Sequence, residues 1–303
     1  MTKPNKRREV IKNLALGTGL LSFGSIIAAC ETKPKEKKTE EPKEAVPVAL
    51  KGNVNHSACR WCYNSIPLEE FFDKAAEIGL KGIDLLTPAE WPIAKKYGLE
   101  CSMGTASFAN IENGFNDPAN HADLQEKYMG LISQAADAGV KNVICFSGNK
   151  RELTDEEGIE NCAVGLKPLI EHAEKVGVII VMELLNSKVD HKDYQCDHTP
   201  WGAALAEKIN SPNFKLLYDI YHMQIMEGDV IATIKKYHQY IGHYHTGGVP
   251  GRHEINDSQE LNYPAIVKAI LETGFTGYLA QEFIPTYEDK MAALKEGVLI
   301  CDV

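Results

Sequence analysis

Four ionisable residues stand at the ends of four successive apolar runs in the second half of the chain. Glu183 closes Val178-Ile-Ile-Val-Met-Glu183, and Asp219 closes Phe214-Lys-Leu-Leu-Tyr-Asp219. His245 closes Ile241-Gly-His-Tyr-His245, and Glu282 closes Tyr278-Leu-Ala-Gln-Glu282. Three carboxylates gathered in one pocket repel each other and lose their hydration, which a fold keeps only with a cation or a shifted proton. A divalent metal removes the conflict. Three oxygens and one nitrogen suit Mn²⁺, Mg²⁺, Co²⁺ or Zn²⁺, and such a set leaves coordination positions open for substrate oxygens. Taken singly, each residue has an ordinary structural explanation: an acid at a strand end caps the next helix, and a histidine beside an apolar strand packs in the core. Four in succession point instead to one metal held by Glu183, Asp219, His245 and Glu282.

For these residues to converge, their strands must be parallel and end at one rim. From Gly52 to the end, 252 residues alternate short β-branched apolar runs with amphipathic stretches. Strands are expected at 52–57, 81–86, 99–103, 141–147, 178–184, 214–219, 241–246 and 278–283, each followed by a helical segment. Apolar spacing marks the helices, as in Leu68, Phe71, Phe72, Ala75 and Ile78 before Gly79, or Leu166, Leu169, Ile170, Ala173 and Val176 before Gly177. Eight such units predict an α/β fold, the (β/α)8 TIM barrel, whose functional groups gather at the C-terminal ends of the strands. An open nucleotide-binding sheet loses support, because no G-x-G-x-x-G follows the first strand and no P-loop occurs. His56, at the expected end of the first strand, is a candidate for lining the pocket, with a strand-end capping role equally open.

Residues 1–29 read as an export signal. Lys6-Arg7-Arg8 precedes an apolar stretch from Leu14 to Ala29, which is too short for the roughly 20 residues a bilayer core requires. The arginine pair resembles a twin-arginine signal, and Ile27-Ala-Ala-Cys30 resembles the lipobox at which bacterial lipoproteins are acylated on the cysteine. Residues 30–51 are rich in Lys, Glu, Pro and Thr and form a charged, disordered linker. Residues 52–303 are the catalytic domain. The expected location is the periplasm or the cell surface, with membrane contact only through a lipid on Cys30.

The net charge is −10, and the signal segment is basic, so the body without residues 1–29 carries −14. A surface that acidic repels phosphate backbones, which excludes nucleic acid as a partner and disfavours a metal-dependent endonuclease. The expected partner is a small molecule, and a homo-oligomer is compatible with the sequence. Cys59-Arg-Trp-Cys62 is an isolated C-x-x-C pair. It reads as a loop after the first strand, with a disulfide or redox role as the alternatives.

Two longer strings carry a resemblance: Leu217-Tyr-Asp-Ile-Tyr-His222-Met-Gln-Ile-Met-Glu227-Gly-Asp229, and Ile241-Gly-His243 followed by Val249-Pro-Gly-Arg252-His253-Glu254. They resemble the hydroxypyruvate isomerase family, within the xylose-isomerase-like TIM barrels that also include ketose 3-epimerases. The resemblance runs over most of Asn53 to Glu282. It implies that Glu183, Asp219, His245 and Glu282 occupy the family's metal positions and that His222 and Arg252 bind substrate oxygens. It departs at the third ligand: hydroxypyruvate isomerases carry glutamine there, and His245 is the epimerase choice.

The implied activity is an isomerase that passes a proton through an enediolate whose charge the metal stabilises, with Glu183 and Glu282 exchanging acid and base roles. For hydroxypyruvate the product is tartronate semialdehyde. Arg252 can grip a substrate carboxylate. The alternatives are a ketose 3-epimerase, or a lipid-anchored protein that captures sugars without turning them over.

Overall fold

The computed structural model describes residues 49–303. The expected signal segment 1–29, the expected acylation site Cys30 and nearly all of the linker lie outside the described residues. Eight strands close into a barrel, each hydrogen-bonded to the next in sequence order and the last to the first, all pairs parallel. The strands and helices run β1 Asn55–Cys59, α1 Leu68–Ile78, β2 Gly82–Leu86, α2 Trp91–Lys96, β3 Glu100–Gly104, α3 His121–Ala138, β4 Asn142–Cys145 and α4 Asp155–Val176. The second half continues β5 Ile179–Leu184, α5 Thr199–Ile209, β6 Phe214–Asp219, α6 Ile220–Met226, α7 Val230–Tyr237, β7 Ile241–Thr246, α8 Tyr263–Glu272, β8 Tyr278–Gln281 and α9 Lys290–Cys301.

The helices stop where the sequence supplies a residue tolerant of left-handed backbone. Gly79 and Gly177 end α1 and α4 at φ 101° and 75°, which returns the chain to the next strand. Apolar helix faces pack onto the outer side of the barrel: Phe71, Phe72 and Ala75 of α1 and Leu166, Leu169 and Ala173 of α4 are buried. The result is the (β/α)8 TIM barrel. Among the described residues no helix is long and apolar enough to cross a membrane.

One boundary matters for the site. The expected first strand, 52–57, begins and ends too early, since β1 runs from Asn55 to Cys59. Its rim end is therefore Cys59, and His56 stands near the start.

Candidate functional site

The C-terminal ends of β5 to β8 bring the four expected ligands together. One ligand atom each from Glu183, Asp219, His245 and Glu282 lies within 4.8 Å of all the others, and all four residues are buried. Pairing of β6 with β7 sets Asp219 opposite His245. Glu282 lies one residue beyond β8, and its N–H donates to the Thr246 carbonyl at 3.0 Å, which carries the ladder on to the rim. The Nδ1 of His245 is 2.8 Å from Glu282 Oε2 and 3.5 Å from Glu183 Oε1. Asp219 also caps a helix: its Oδ1 accepts the His222 N–H at 3.1 Å, opening α6. Asp219 is thus a helix cap and, at the same time, one of the four converging residues.

Two of the three residues expected to meet substrate join this cluster. Arg252, with φ 57° in the left-handed region, points Nη2 at Glu282 Oε2, 2.6 Å away, and at Asp219 Oδ2, 3.4 Å away. Its guanidinium is sandwiched by Trp61 and Tyr221, with ring centroids at 5.3 and 5.2 Å. His222 is fully buried. Its Nδ1 accepts the Asn186 side-chain N–H at 2.6 Å, which leaves the proton on Nε2. That Nε2 has no hydrogen-bond partner among the described residues and stands 3.6 Å from Asp219 Oδ2, so a donor is left facing the site.

His56 does not join. Ser57 turns into the barrel to bond Asp84, so by alternation His56 faces outward, where its Nε2 lies 3.7 Å from Asp302 Oδ1. It is buried between the barrel wall and the C-terminal end of the chain and does not line the pocket. The physical reason is the later start of β1, which moves His56 from the rim to the far end of the strand.

Several partners lacked a sequence signature. The Trp61 indole N–H donates to Glu282 Oε1 at 2.6 Å. Asn186 bridges His222 to Asp190 Oδ2, which also accepts the Tyr221 hydroxyl at 2.8 Å, so the loop after β5 belongs to the site. Asp84, deep in β2, touches both His243 and His245. Its only trace in the sequence is an acid inside an otherwise apolar strand. Cys59 and Cys62 are both buried and free, and burial pushes both thiols up. Cys59 Sγ is 3.7 Å from His245 Nε2.

The electrostatics of the cluster suit a divalent cation. Burial pushes the Glu183 carboxyl above its ordinary range, and burial with the neighbouring Glu282 pushes Asp219 up to about 8, against the pull of Arg252. Burial acts on Glu282 as well, but His245 and Arg252 outweigh it and hold this carboxyl well below its usual range. Two of the three acids are thus short of positive charge, and a donor set of three carboxylates and one imidazole, with no thiolate among them, suits a hard or borderline ion. Burial, reinforced by Arg252, lowers His222 well below its ordinary value, so this imidazole is neutral. Two further groups share His245: Cys59 with His245 and Glu282, and Asp84 with His243 and His245.

The model of the xylose isomerase-like TIM barrel family matches residues 72–299. The 2-oxo-tetronate isomerase of Cupriavidus necator is 36% identical over 238 residues, which span 74% of this chain and 89% of the relative. The hydroxypyruvate isomerase of Escherichia coli is 25% identical over 225 residues, 71% of this chain and 86% of the relative. The solved structure of an AP endonuclease, family 2, from Brucella melitensis has a TM-score of 0.72 at 23% identity, covering 80% of this chain and 96% of that one. The last likeness is one of fold. The sequence relatives make the chain an isomerase, and it belongs to the xylose isomerase-like TIM-barrel family, in the part that contains the hydroxypyruvate and 2-oxo-tetronate isomerases.

Proposed function

We propose that the protein is a divalent-metal-dependent isomerase of a short 2-oxo acid bearing a hydroxyl on the adjacent carbon, with hydroxypyruvate as the simplest case. The observation that carries this reading is the convergence of Glu183, Asp219, His245 and Glu282 at the barrel mouth. Those residues would hold the cation, as Mn²⁺, Mg²⁺, Co²⁺ or Zn²⁺. When bound, it supplies a fixed positive charge where negative charge develops on the substrate oxygens.

The chain's own groups do the rest. One of Glu183 and Glu282 takes the proton from the hydroxyl-bearing carbon, and the other returns a proton to the former carbonyl carbon. The hydroxyl proton passes to the former carbonyl oxygen, so hydroxypyruvate becomes tartronate semialdehyde with no change in composition. The buried Nε2–H of His222 is free to donate to a substrate oxygen. Arg252, whose guanidinium lies over the rings of Trp61 and Tyr221, presents a planar cation to the substrate carboxylate. The acid relatives, named for hydroxypyruvate and 2-oxo-tetronate, agree with that anchor.

One observation favours a second reading. The imidazole of His245 is the epimerase choice at the third ligand position, and a ketose 3-epimerase would use the same two glutamates across one carbon. Turnover assays with Mn²⁺ in deuterated water, across hydroxypyruvate, 2-oxo-tetronate and common ketoses, separate the readings. Deuterium is expected in the acid products. Exchange confined to ketoses would replace the isomerase by an epimerase, and no exchange in any substrate would leave a binding protein. Export and acylation at Cys30 complete the proposal, supported by Ile27-Ala-Ala-Cys30, and mass spectrometry of the membrane fraction tests them.

A further inference from the structure

Beneath the four ligands lies a charged group that the chemistry above does not use. Asp84 is fully buried inside the barrel, where layers of apolar side chains are the rule. Its Oδ1 accepts the hydroxyls of Ser57, at 2.7 Å, and Ser102. Its Oδ2 accepts from His243 Nε2 at 2.5 Å and from His245 Nε2 at 3.0 Å. The backbone is shaped to put it there. The β2–β3 register shifts on both sides of Asp84, and the next residue, Leu85, has φ 60°, a left-handed conformation rare for leucine. Gly82 lets the two strands approach, since a Cβ at that position would stand 2.8 Å from Ser102 Oγ.

Two nitrogens of His245 then face two environments. Nε2 points down to Asp84, and Nδ1 points up to Glu282 and Glu183. Cys59 Sγ also lies within reach of Nε2, but at 3.7 Å a thiol competes poorly with a carboxylate at 3.0 Å. We propose that Asp84 is a positioning residue for the cation: by accepting a hydrogen bond from the Nε2–H of His245 it fixes the ring and leaves the Nδ1 lone pair aimed at the other three ligands. Ser57, Ser102 and His243 hold Asp84 in turn, so β1, β2, β3 and β7 all contribute to aiming one nitrogen.

A second cation between Asp84, His243 and His245 is the competing reading. Two ligand atoms on one ion at bonds of about 2.1 Å stand about 3 Å apart at right angles. The 2.5 Å between His243 Nε2 and Asp84 Oδ2 is too short for that and is a hydrogen bond.

The inference rests on the cation proposed for the four ligands, and its test keeps the two separable. The metal-free protein is titrated with Co²⁺ and followed by its visible absorption, beside the thermal midpoint of the same metal-free sample. Asp84→Asn is expected to weaken Co²⁺ binding by about 10- to 100-fold and to alter the absorption band, as loss of a carboxylate behind a ligand histidine does. Ser102→Ala, which loosens Asp84 without removing it, is expected to weaken binding less. A lower midpoint with unchanged Co²⁺ affinity would make Asp84 merely structural and overturn the inference while leaving the cation in place. If Asp84→Asn does not fold, Ser102→Ala decides on the same criterion. If the unaltered protein takes no Co²⁺, both readings fall.

Discussion

The two halves of the barrel divide the work. Strands β5 to β8 each deliver one ionisable side chain to the rim, where the proposed cation and substrate would meet. Strands β1 to β3 deliver none of those ligands. They place Ser57, Asp84 and Ser102 one layer deeper, under His245, and the loop after β1 supplies Trp61 behind Glu282. A carboxylate set at the rim has to be reachable, so it sits at strand ends. A group that orients a ligand has to be shielded from water to act strongly, so it sits inside. Chemistry in one half and its alignment in the other is therefore a physical division as well as a topological one.

The largest effect is expected at the rim. Removing divalent ions with a chelator should abolish turnover, with Mn²⁺ or Co²⁺ restoring it, and the loaded protein should melt higher than the metal-free one. At a hundred times the dissociation constant the added stability is about 2.7 kcal/mol, readable by calorimetry. Turnover that survives the chelator would remove the cation from the account.

Next come the two glutamates. Glu183→Gln and Glu282→Gln should each lower kcat by roughly 10²- to 10⁴-fold, the usual worth of a positioned acid or base. Steady-state kinetics and deuterium wash-in check this. Wash-in that persists in Glu282→Gln while net isomerisation stops would assign first proton removal to Glu183.

Arg252 sharpens the substrate side. Arg252→Lys keeps the charge but loses the planar fork, and should raise KM for a 2-oxo acid by about 10-fold or more, the loss of one bond of a charge-assisted pair. A neutral ketose should be far less affected. Equal losses for both would point to the ties of Arg252 to Glu282 and Asp219, 2.6 and 3.4 Å away, as its main role.

The smallest effect is expected in the scaffold of the rim. Glu254 accepts from the Thr286 N–H at 2.6 Å, the Thr286 hydroxyl at 2.9 Å and the Tyr287 N–H at 3.2 Å, tying the loop after β7 to the loop after β8. Burial pushes this carboxyl up, but its own backbone N–H together with those donors outweighs it, so its value in the folded protein is below the ordinary one. Its stabilisation is then present above the ordinary carboxylate value and fades as pH falls through the folded value. Glu254→Gln should cost about 1 kcal/mol near neutral pH, with the gap to the unaltered protein closing in acid, as denaturant melts at several pH values would show.

The rim was legible in the sequence because each ligand follows a strongly apolar run, and eight such runs between amphipathic segments allow few architectures. The layer below was not. Asp84 lies inside Gly82-Ile-Asp-Leu-Leu86, away from a strand end, and its function depends on a register shift and on Leu85 at φ 60°, neither of which leaves a spacing pattern. His56 was misplaced because Gly52, Asn53 and Val54 look like the start of a strand that begins only at Asn55, and a late start of that size moves a residue from the rim to the opposite end. Trp61 and Tyr221 pack across the barrel mouth from loops and helix starts distant in sequence, so their sandwich around Arg252 could only emerge from the fold.

One divalent cation is expected among the ends of β5 to β8. Anomalous diffraction from crystals loaded with Mn²⁺ tests it directly. A single peak is predicted, bonded to Glu183, Asp219, Nδ1 of His245 and Glu282 at about 2.0 to 2.3 Å, with Nε2 of His245 still on Asp84. A peak elsewhere in the barrel, or none at saturating Mn²⁺, would contradict the account.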